Sequence, residues 1–180
     1  MNSKERAAES RSICRRILPL IPKGSTVTAY YPLKTEVDLR SLLQEFKKEN
    51  IKVFLPVFDG RTLIFREFSN ESELAKGELH ILEPPHSSPL LDPQSLDFAL
   101  VPARAFDESG WRLGRGNGGY DLWIRKQRAL NPHTKIFGIA FECQVLRSVP
   151  REEHDERVDG IITARGLMET PASEAPVQRM

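Results

Sequence analysis

Arg112-Leu-Gly-Arg-Gly-Asn-Gly-Gly-Tyr-Asp121 places four glycines (Gly114, Gly116, Gly118, Gly119) within six residues. Such a run permits positive φ angles and lets backbone N–H groups crowd a ligand with no Cβ in the way, which is how chains cradle phosphate. Arg112 and Arg115 add permanent cations whose forked donors suit phosphate oxygens, and Asp121 closes the run with a carboxylate able to hold a divalent ion. Beyond Tyr120, the order Leu122, Trp123, Arg125, Lys126, Arg128, Leu130 reads as a helix. The loop therefore empties into a helix N-terminus, where the dipole also favours anions. A nucleotide with its metal is the expected guest. No Gly-Lys-Ser/Thr follows, so this is not a Walker A loop; nor does G-x-G-x-G-G match a dinucleotide fingerprint, whose acid stands roughly 20 residues on. Without a ligand, the same stretch is a turn between strand and helix.

Upstream of the loop, residues 96–102 form an apolar run that reads as a buried strand, and residues 103–111 are its approach to the glycines. Residues 3–20 have helical spacing (Ala7, Ile13, Ile17, Leu18) and end at Pro19, Pro22 and Gly24. Residues 26–31, β-branched and aromatic, predict a first strand that Pro32 ends, and residues 39–48 carry one apolar helix face, Leu39, Leu42, Leu43 and Phe46. Residues 51–57 predict a second strand with a hairpin partner at 61–66 after Asp59-Gly60. From 69 to 93 four prolines and weak periodicity predict a surface connection with one helical turn near 71–75, in which Glu83-Pro84 is a binding loop or a turn. Residues 135–141 and 160–163 predict two further strands, the latter the last. Alternation of this kind implies an α/β layered fold with a largely parallel sheet and ligands beyond the carboxyl ends of its strands. Glu36, the glycine loop, Gln144 and the 152–159 acidic cluster all follow such ends.

The chain's 180 residues suffice for one domain with a full core. Its 26 basic and 25 acidic residues nearly cancel, which argues against nucleic-acid or membrane-surface binding. Cys14 and Cys143 form no ligand set, and no apolar run reaches the roughly 18 residues of a membrane span. The N-terminal residues lack a signal peptide's apolar core, so the expectation is a cytoplasmic, reduced protein. A monomer or weak homodimer is a separate expectation that these residues do not carry. Residues 1–168 are read as the domain and 169–180, rich in Pro, Ala and Ser, as a disordered tail.

The loop is accompanied, in order along the chain, by Ala29-Tyr-Tyr-Pro32, Glu36-Val-Asp38, Phe54-Leu-Pro-Val57, Glu83-Pro84, Val101-Pro102, Ala105-Phe106-Asp107, Gly138-Ile-Ala-Phe-Glu142, Gln144, Val149-Pro150, His154-Asp155 and Val158-Asp159. Over residues 10–167 this set resembles the 5-formyltetrahydrofolate cyclo-ligase (5,10-methenyltetrahydrofolate synthetase) family, whose signature is Arg-Leu-Gly-x-Gly-x-Gly-Tyr-Tyr-Asp. The resemblance implies a single three-layer α/β/α domain with a largely parallel sheet, of the NagB/RpiA/CoA-transferase-like kind. It implies a ligase that forms a carbon–nitrogen bond, using ATP as co-substrate and Mg²⁺ to convert 5-formyltetrahydrofolate to 5,10-methenyltetrahydrofolate, ADP and phosphate. Its partners are these small molecules, with no nucleic acid and no membrane.

By position, the resemblance assigns ATP to Arg112, Leu113, Gly114, Arg115, Gly116, Asn117, Gly118, Gly119 and Tyr120, and Mg²⁺, directly or through water, to Asp121 and Asp155. Glu36 and Tyr120 line the folate pocket, and Arg115 and Tyr120 serve catalysis. Read alone, Glu36 is equally a helix N-terminal acid, and Asp155 in Arg-Glu-Glu-His-Asp-Glu-Arg is a solvated charge run. His154 reads as an exposed loop residue, Asp159 as a turn former or alternative metal ligand, and Trp111 and Trp123 as packing residues, with Trp111 able to stack on a flat ring.

Two departures from the pattern bear on activity. The family's N-terminal Lys-x-x-x-Arg is expected to lie upstream of residue 1, as it would with a start codon assigned too late, a truncated chain or a member weakened in ATP use. Gly119 replaces the first tyrosine of Tyr-Tyr, and Asn117 stands where Lys or Gly is usual. A relative that binds nucleotide or folate without efficient turnover is thus the alternative, and an interaction domain whose loop binds a phosphorylated partner is a third reading.

Overall fold

The computed structural model describes residues 1–60, 62–77, 80–116 and 118–171. In chain order the strands are β1 (Thr26–Thr28), β2 (Lys52–Phe58), β3 (Leu63–Glu67), β4 (Ala75–Lys76), β5 (Leu82–Glu83), β6 (Phe98–Val101), β7 (Ala105–Asp107), β8 (Arg112–Leu113), β9 (Lys135–Ile139), β10 (Val145–Leu146), β11 (Gly160–Thr163) and β12 (Gly166–Glu169). The helices are α1 (Ser3–Ile17), α2 (Arg40–Lys48) and α3 (Gly119–Leu130). Seven strands form one sheet in the order β12-β11-β9-β6-β1-β2-β3. The five inner strands are parallel, and β3 and β12 close the edges antiparallel.

Parallel strands covered on both faces need apolar side chains in both directions, which is why β6, β9 and β11 read as continuous apolar runs. Ala99, Val101, Ile136, Ala140 and Ile161 pack on one face with Ile124 of α3. Leu100, Ile139, Ile162 and Val27 turn to the other, against Ile13 and Ile17 of α1 and Leu42, Leu43 and Phe46 of α2. Two helical layers therefore sandwich the sheet, as the α/β reading expects. Fully buried Ile124 alone would cost about 2–5 kcal/mol if cut to Ala.

Local sequence sets the helix ends. Asn2 and Glu5 cap α1 reciprocally, and the helix stops at Ile17 instead of residue 20 because Pro19 has no N–H to continue it; Leu18–Leu20 tighten into a 3₁₀ turn. Gly118, at φ +63°, is the N-cap of α3.

The helical turn near 71–75 is present, and the other small elements differ from expectation. Between residues 69 and 93 lie a 3₁₀ turn, Glu71–Glu73, and the antiparallel ribbon β4–β5. A second small sheet, β10-β7-β8, braces the approach to the glycine loop, and Gly138 leaves room for Phe106, whose ring atoms would lie 2.6 Å from a Cβ there. The strand 160–163 is not the last: β12 follows and pairs with it. Glu169 belongs to that strand, and Thr170 binds the Asp159 and Val158 carbonyls, its N–H at 3.2 Å and its hydroxyl at 2.6 Å. The remainder of the expected tail, 172–180, lies outside the described residues. No helix among the described residues is long and apolar enough to cross a membrane.

Candidate active site

The carboxyl ends of β6, β1 and β2, neighbours in the sheet, open onto one cavity of about 120 Å³. The β6 side supplies Pro102 and Ala103 and, through the β7–β8 hairpin, Arg112, Gly114, Arg115, Gly119 and Tyr120; the β1 side supplies Tyr30, Tyr31, Leu33 and Glu36. The third wall is Pro56 and Phe58 of β2, Leu63 of β3, and Ile81 and Glu83 of the ribbon. Convergence at adjacent strand ends is what a parallel sheet imposes.

Gly116 and Gly118 hold φ of +89° and +63°, and nothing lies within 4 Å of where their Cβ atoms would stand. Backbone conformation, not lack of space, requires glycine at these two positions. Asn117 between them lies outside the described residues. Leu113 is engaged in the β7–β8 hairpin, its carbonyl accepting from Arg104 N–H at 2.9 Å.

Arg112 and Asp121, expected to take phosphate and metal, take each other. Arg112 Nη2 lies 2.6 Å from Asp121 Oδ2, and both side chains are almost wholly buried. The other carboxylate oxygen accepts from Glu156 N–H at 3.2 Å, and the guanidinium stands 5.3 Å from the centre of the Tyr120 ring. Gly114 makes room for it, since a Cβ there would come within 3.0 Å of Arg112 Nη2. Arg112 nevertheless lines the cavity, and its Nε has no hydrogen-bond partner among the described residues.

Asp155 is not among the lining residues; its carboxylate accepts from Glu152 N–H at 2.8 Å. Both expected metal carboxylates are thus engaged by protein groups, Asp121 by a guanidinium and a backbone amide and Asp155 by a backbone amide. No group of three or more His, Cys, Asp or Glu side chains among the described residues is arranged to hold a metal.

Glu36 and Arg115 do meet at the cavity. Glu36 Oε2 accepts from Leu33 N–H at 2.9 Å, and its Oε1 lies 3.2 Å from Arg115 Nη2, which also reaches Thr35 Oγ1. Tyr120 is in the wall beside them. Its hydroxyl is buried with no partner among the described residues, and burial first, then the Glu36 charge, pushes its pKa up, partly offset by Arg112. The phenol is therefore a neutral donor waiting for an acceptor.

The remaining candidates lie elsewhere. Gln144 ties the chain after β6 in place, donating to the Ala103 and Arg104 carbonyls. Trp111 sits between Arg151 and Arg157, 5.2 and 5.7 Å from its ring centre, and Trp123 packs on Phe65. His154 pairs with Glu152, and Asp159 with Arg128. The 152–159 cluster thus clamps α3 and lines no part of the cavity. Conversely, Tyr30, Phe58, Leu63 and Ile81 are cavity residues that sequence reading had placed only in strands and connections.

Residues 1–164 match the model of the 5-formyltetrahydrofolate cyclo-ligase family. The Escherichia coli K12 5-formyltetrahydrofolate cyclo-ligase is 31% identical over 155 residues, covering 84% of each chain. A probable 5-formyltetrahydrofolate cyclo-ligase of Schizosaccharomyces pombe is 30% identical over 171 residues, 87% of this chain and 84% of the other. The solution structure of Aquifex aeolicus 5,10-methenyltetrahydrofolate synthetase superposes with a TM-score of 0.79 at 29% identity, over 100% of this chain and 92% of the other. The cavity at the ends of β6, β1 and β2 is thus carried by a sequence and a fold that agree with one another, and the chain belongs to the 5-formyltetrahydrofolate cyclo-ligase family.

Proposed function

We propose that the protein closes 5-formyltetrahydrofolate to 5,10-methenyltetrahydrofolate with ATP as co-substrate, releasing ADP and phosphate. The observation that carries this reading is the meeting of Glu36, Arg115 and the unsatisfied Tyr120 hydroxyl in the wall of one largely apolar cavity. An N-formyl group is amide-like and a poor electrophile. Its oxygen attacks the γ-phosphorus of ATP, ADP departs, and the iminium phosphate is attacked by N10; the N10 proton is lost and phosphate leaves with the former formyl oxygen.

This chemistry asks the protein for placement and charge neutralisation. Arg115, the more exposed member of the ion pair, meets the γ-phosphoryl group, and the α3 N-terminus, capped by Gly118 at positive φ, completes the phosphate site. Tyr120 donates its hydroxyl to the phosphorylated oxygen. Glu36 faces the N10 amine and accepts its proton. Arg112 and Asp121 hold the loop on α3, and Mg²⁺ arrives with ATP as the Mg–ATP co-substrate.

Appearance of methenyltetrahydrofolate absorbance on mixing the protein with 5-formyltetrahydrofolate and Mg–ATP tests the reading; no turnover under conditions that bind both ligands overturns it. Gly119, a cavity residue without a side chain, favours the second reading, a family member that binds its ligands but turns over slowly.

A further inference from the structure

Glu83 is a cavity carboxylate that the steps above leave unused. It ends β5 and is only 8% exposed, between the apolar side chains of Phe58, Leu63 and Ile81. Phe58 N–H points to its Oε1 at 3.4 Å. Across the ribbon, a Cβ on Gly77 would fall 2.0 Å from its Oε2 and 2.5 Å from its Oε1, so the absence of a side chain there is what seats the carboxylate. Burying an anion in an apolar wall is costly unless donors meet it. Glu83 has protein partners of its own, and two carboxylate oxygens offer about four acceptor sites in all.

The sheet order gives the cavity a direction. Arg112 and Arg115 follow β6, Glu36 follows β1, and Glu83 lies against β2, so cations and carboxylate stand at opposite ends with β1 between. A triphosphate is drawn to the first end and repelled from the second. What fits the second end is a flat, apolar-faced ring with in-plane N–H donors, because two coplanar oxygens match two parallel donors as they match an arginine fork.

We propose that Glu83 receives the 2-amino-4-oxopyrimidine edge of the pterin, accepting from the ring N3–H and the exocyclic amino group, which turns N5 and N10 towards Glu36 and the glycine loop. The inference rests on reading the cavity as the folate site. Glu83 is here a substrate-positioning residue, and pterin donors, not the formyl group, are what it reads.

Titration calorimetry of wild type and Glu83→Gln with 5-formyltetrahydrofolate, with its 2-desamino-2-methyl analogue, and with Mg–ATP tests this. Wild type should prefer the amino compound roughly tenfold to a hundredfold, the range for charge-assisted hydrogen bonds. Glu83→Gln should lose most of that preference, to within about threefold, with Mg–ATP affinity unchanged. Equal weakening of both folates by Glu83→Gln, or no weakening of either, overturns the proposal. The analogue comparison on wild type is a test that needs no variant, and equal affinity there overturns it too. If wild type binds Mg–ATP but no folate, the reading of the cavity itself has failed.

Discussion

Arg115 Nη2 lies 3.2 Å from Glu36 Oε1, so the side chain expected to hold phosphate and the one expected to hold folate are bound to each other across 79 residues of sequence. The Arg115 side chain is 43% exposed and the Glu36 side chain 8%, which makes the arginine the member free to leave. A nucleotide that draws Arg115 away uncovers a buried carboxylate where the proposed reaction puts the folate amine, and the two ligands become linked through one ion pair. Glu36→Gln should therefore bind Mg–ATP about two- to fivefold tighter, the equivalent of a partly exposed pair worth about 0.5–1 kcal/mol, while losing folate affinity and turnover. Calorimetric titration with ATP decides the point, and unchanged or weaker ATP binding would count against the linkage.

Arg112 and Asp121 form a buried ion pair, so stability is where its loss should be read first. Asp121→Asn leaves a buried guanidinium poorly matched, at about 3–5 kcal/mol, or a fall in Tm of about 10 °C for a chain of this size. The apolar double substitution Arg112→Met with Asp121→Leu should recover much of that fall without recovering activity, because Tyr120 loses the cation under its ring. A direct metal ligand at 121 behaves otherwise: its loss leaves Tm in place and raises the Mg²⁺ requirement. Thermal melts beside Mg²⁺ titrations of activity separate the two.

The same pair shows where sequence stops being legible. That residues 112–121 form a glycine loop ending in a helix follows from composition alone, as do the apolar faces of α1, α2 and the inner strands. Two arginines and an aspartate in one loop also announce charge chemistry. Which charge meets which depends on the β8-to-α3 turn folding Arg112 back over Asp121, and only the tertiary path decides that. The small strands β4, β5, β7, β8, β10 and β12 lack the apolar or β-branched runs that make the equally short β1, β6 and β11 legible, and exist because a neighbour presents an edge. Glu83-Pro84 reads in sequence as a binding loop or a turn, but its seat against Gly77 does not, since the ribbon that brings the two together is one of these.

All three tyrosines resist ionisation. Burial is the first cause at Tyr30 and Tyr120, with Glu36 adding to both; at Tyr31 burial is followed by its hydrogen bond to Glu71. Each folded-state pKa lies above the unfolded value of about 10. The associated stability is fully present below about pH 10 and is lost as pH rises from there through the folded values. A tyrosinate absorbance titration should show little signal at pH 10 in native protein and about half the full signal in denaturant, and Tyr120→Phe should shift the onset of alkaline unfolding upward. Native ionisation matching the denatured curve would contradict the burial of these rings.

Gly119 is the first residue of α3 and part of the cavity wall, next to a tyrosine whose hydroxyl is unsatisfied. A side chain here would sit where the loop meets the helix, between the proposed phosphate site and the proposed folate wall. An aromatic ring at this point narrows the cavity and adds a face for a flat ligand, and stacking on aromatic rings is worth about 0.5–1.5 kcal/mol. Gly119→Tyr should accordingly lower KM for 5-formyltetrahydrofolate about two- to tenfold, leave KM for ATP nearly unchanged, and stabilise the start of α3 because glycine is a poor helix residue. Steady-state kinetics with each substrate varied in turn measures both constants. If KM for folate rises instead, the open wall is used by the substrate itself, and the glycine is a fitted part of this enzyme's pocket.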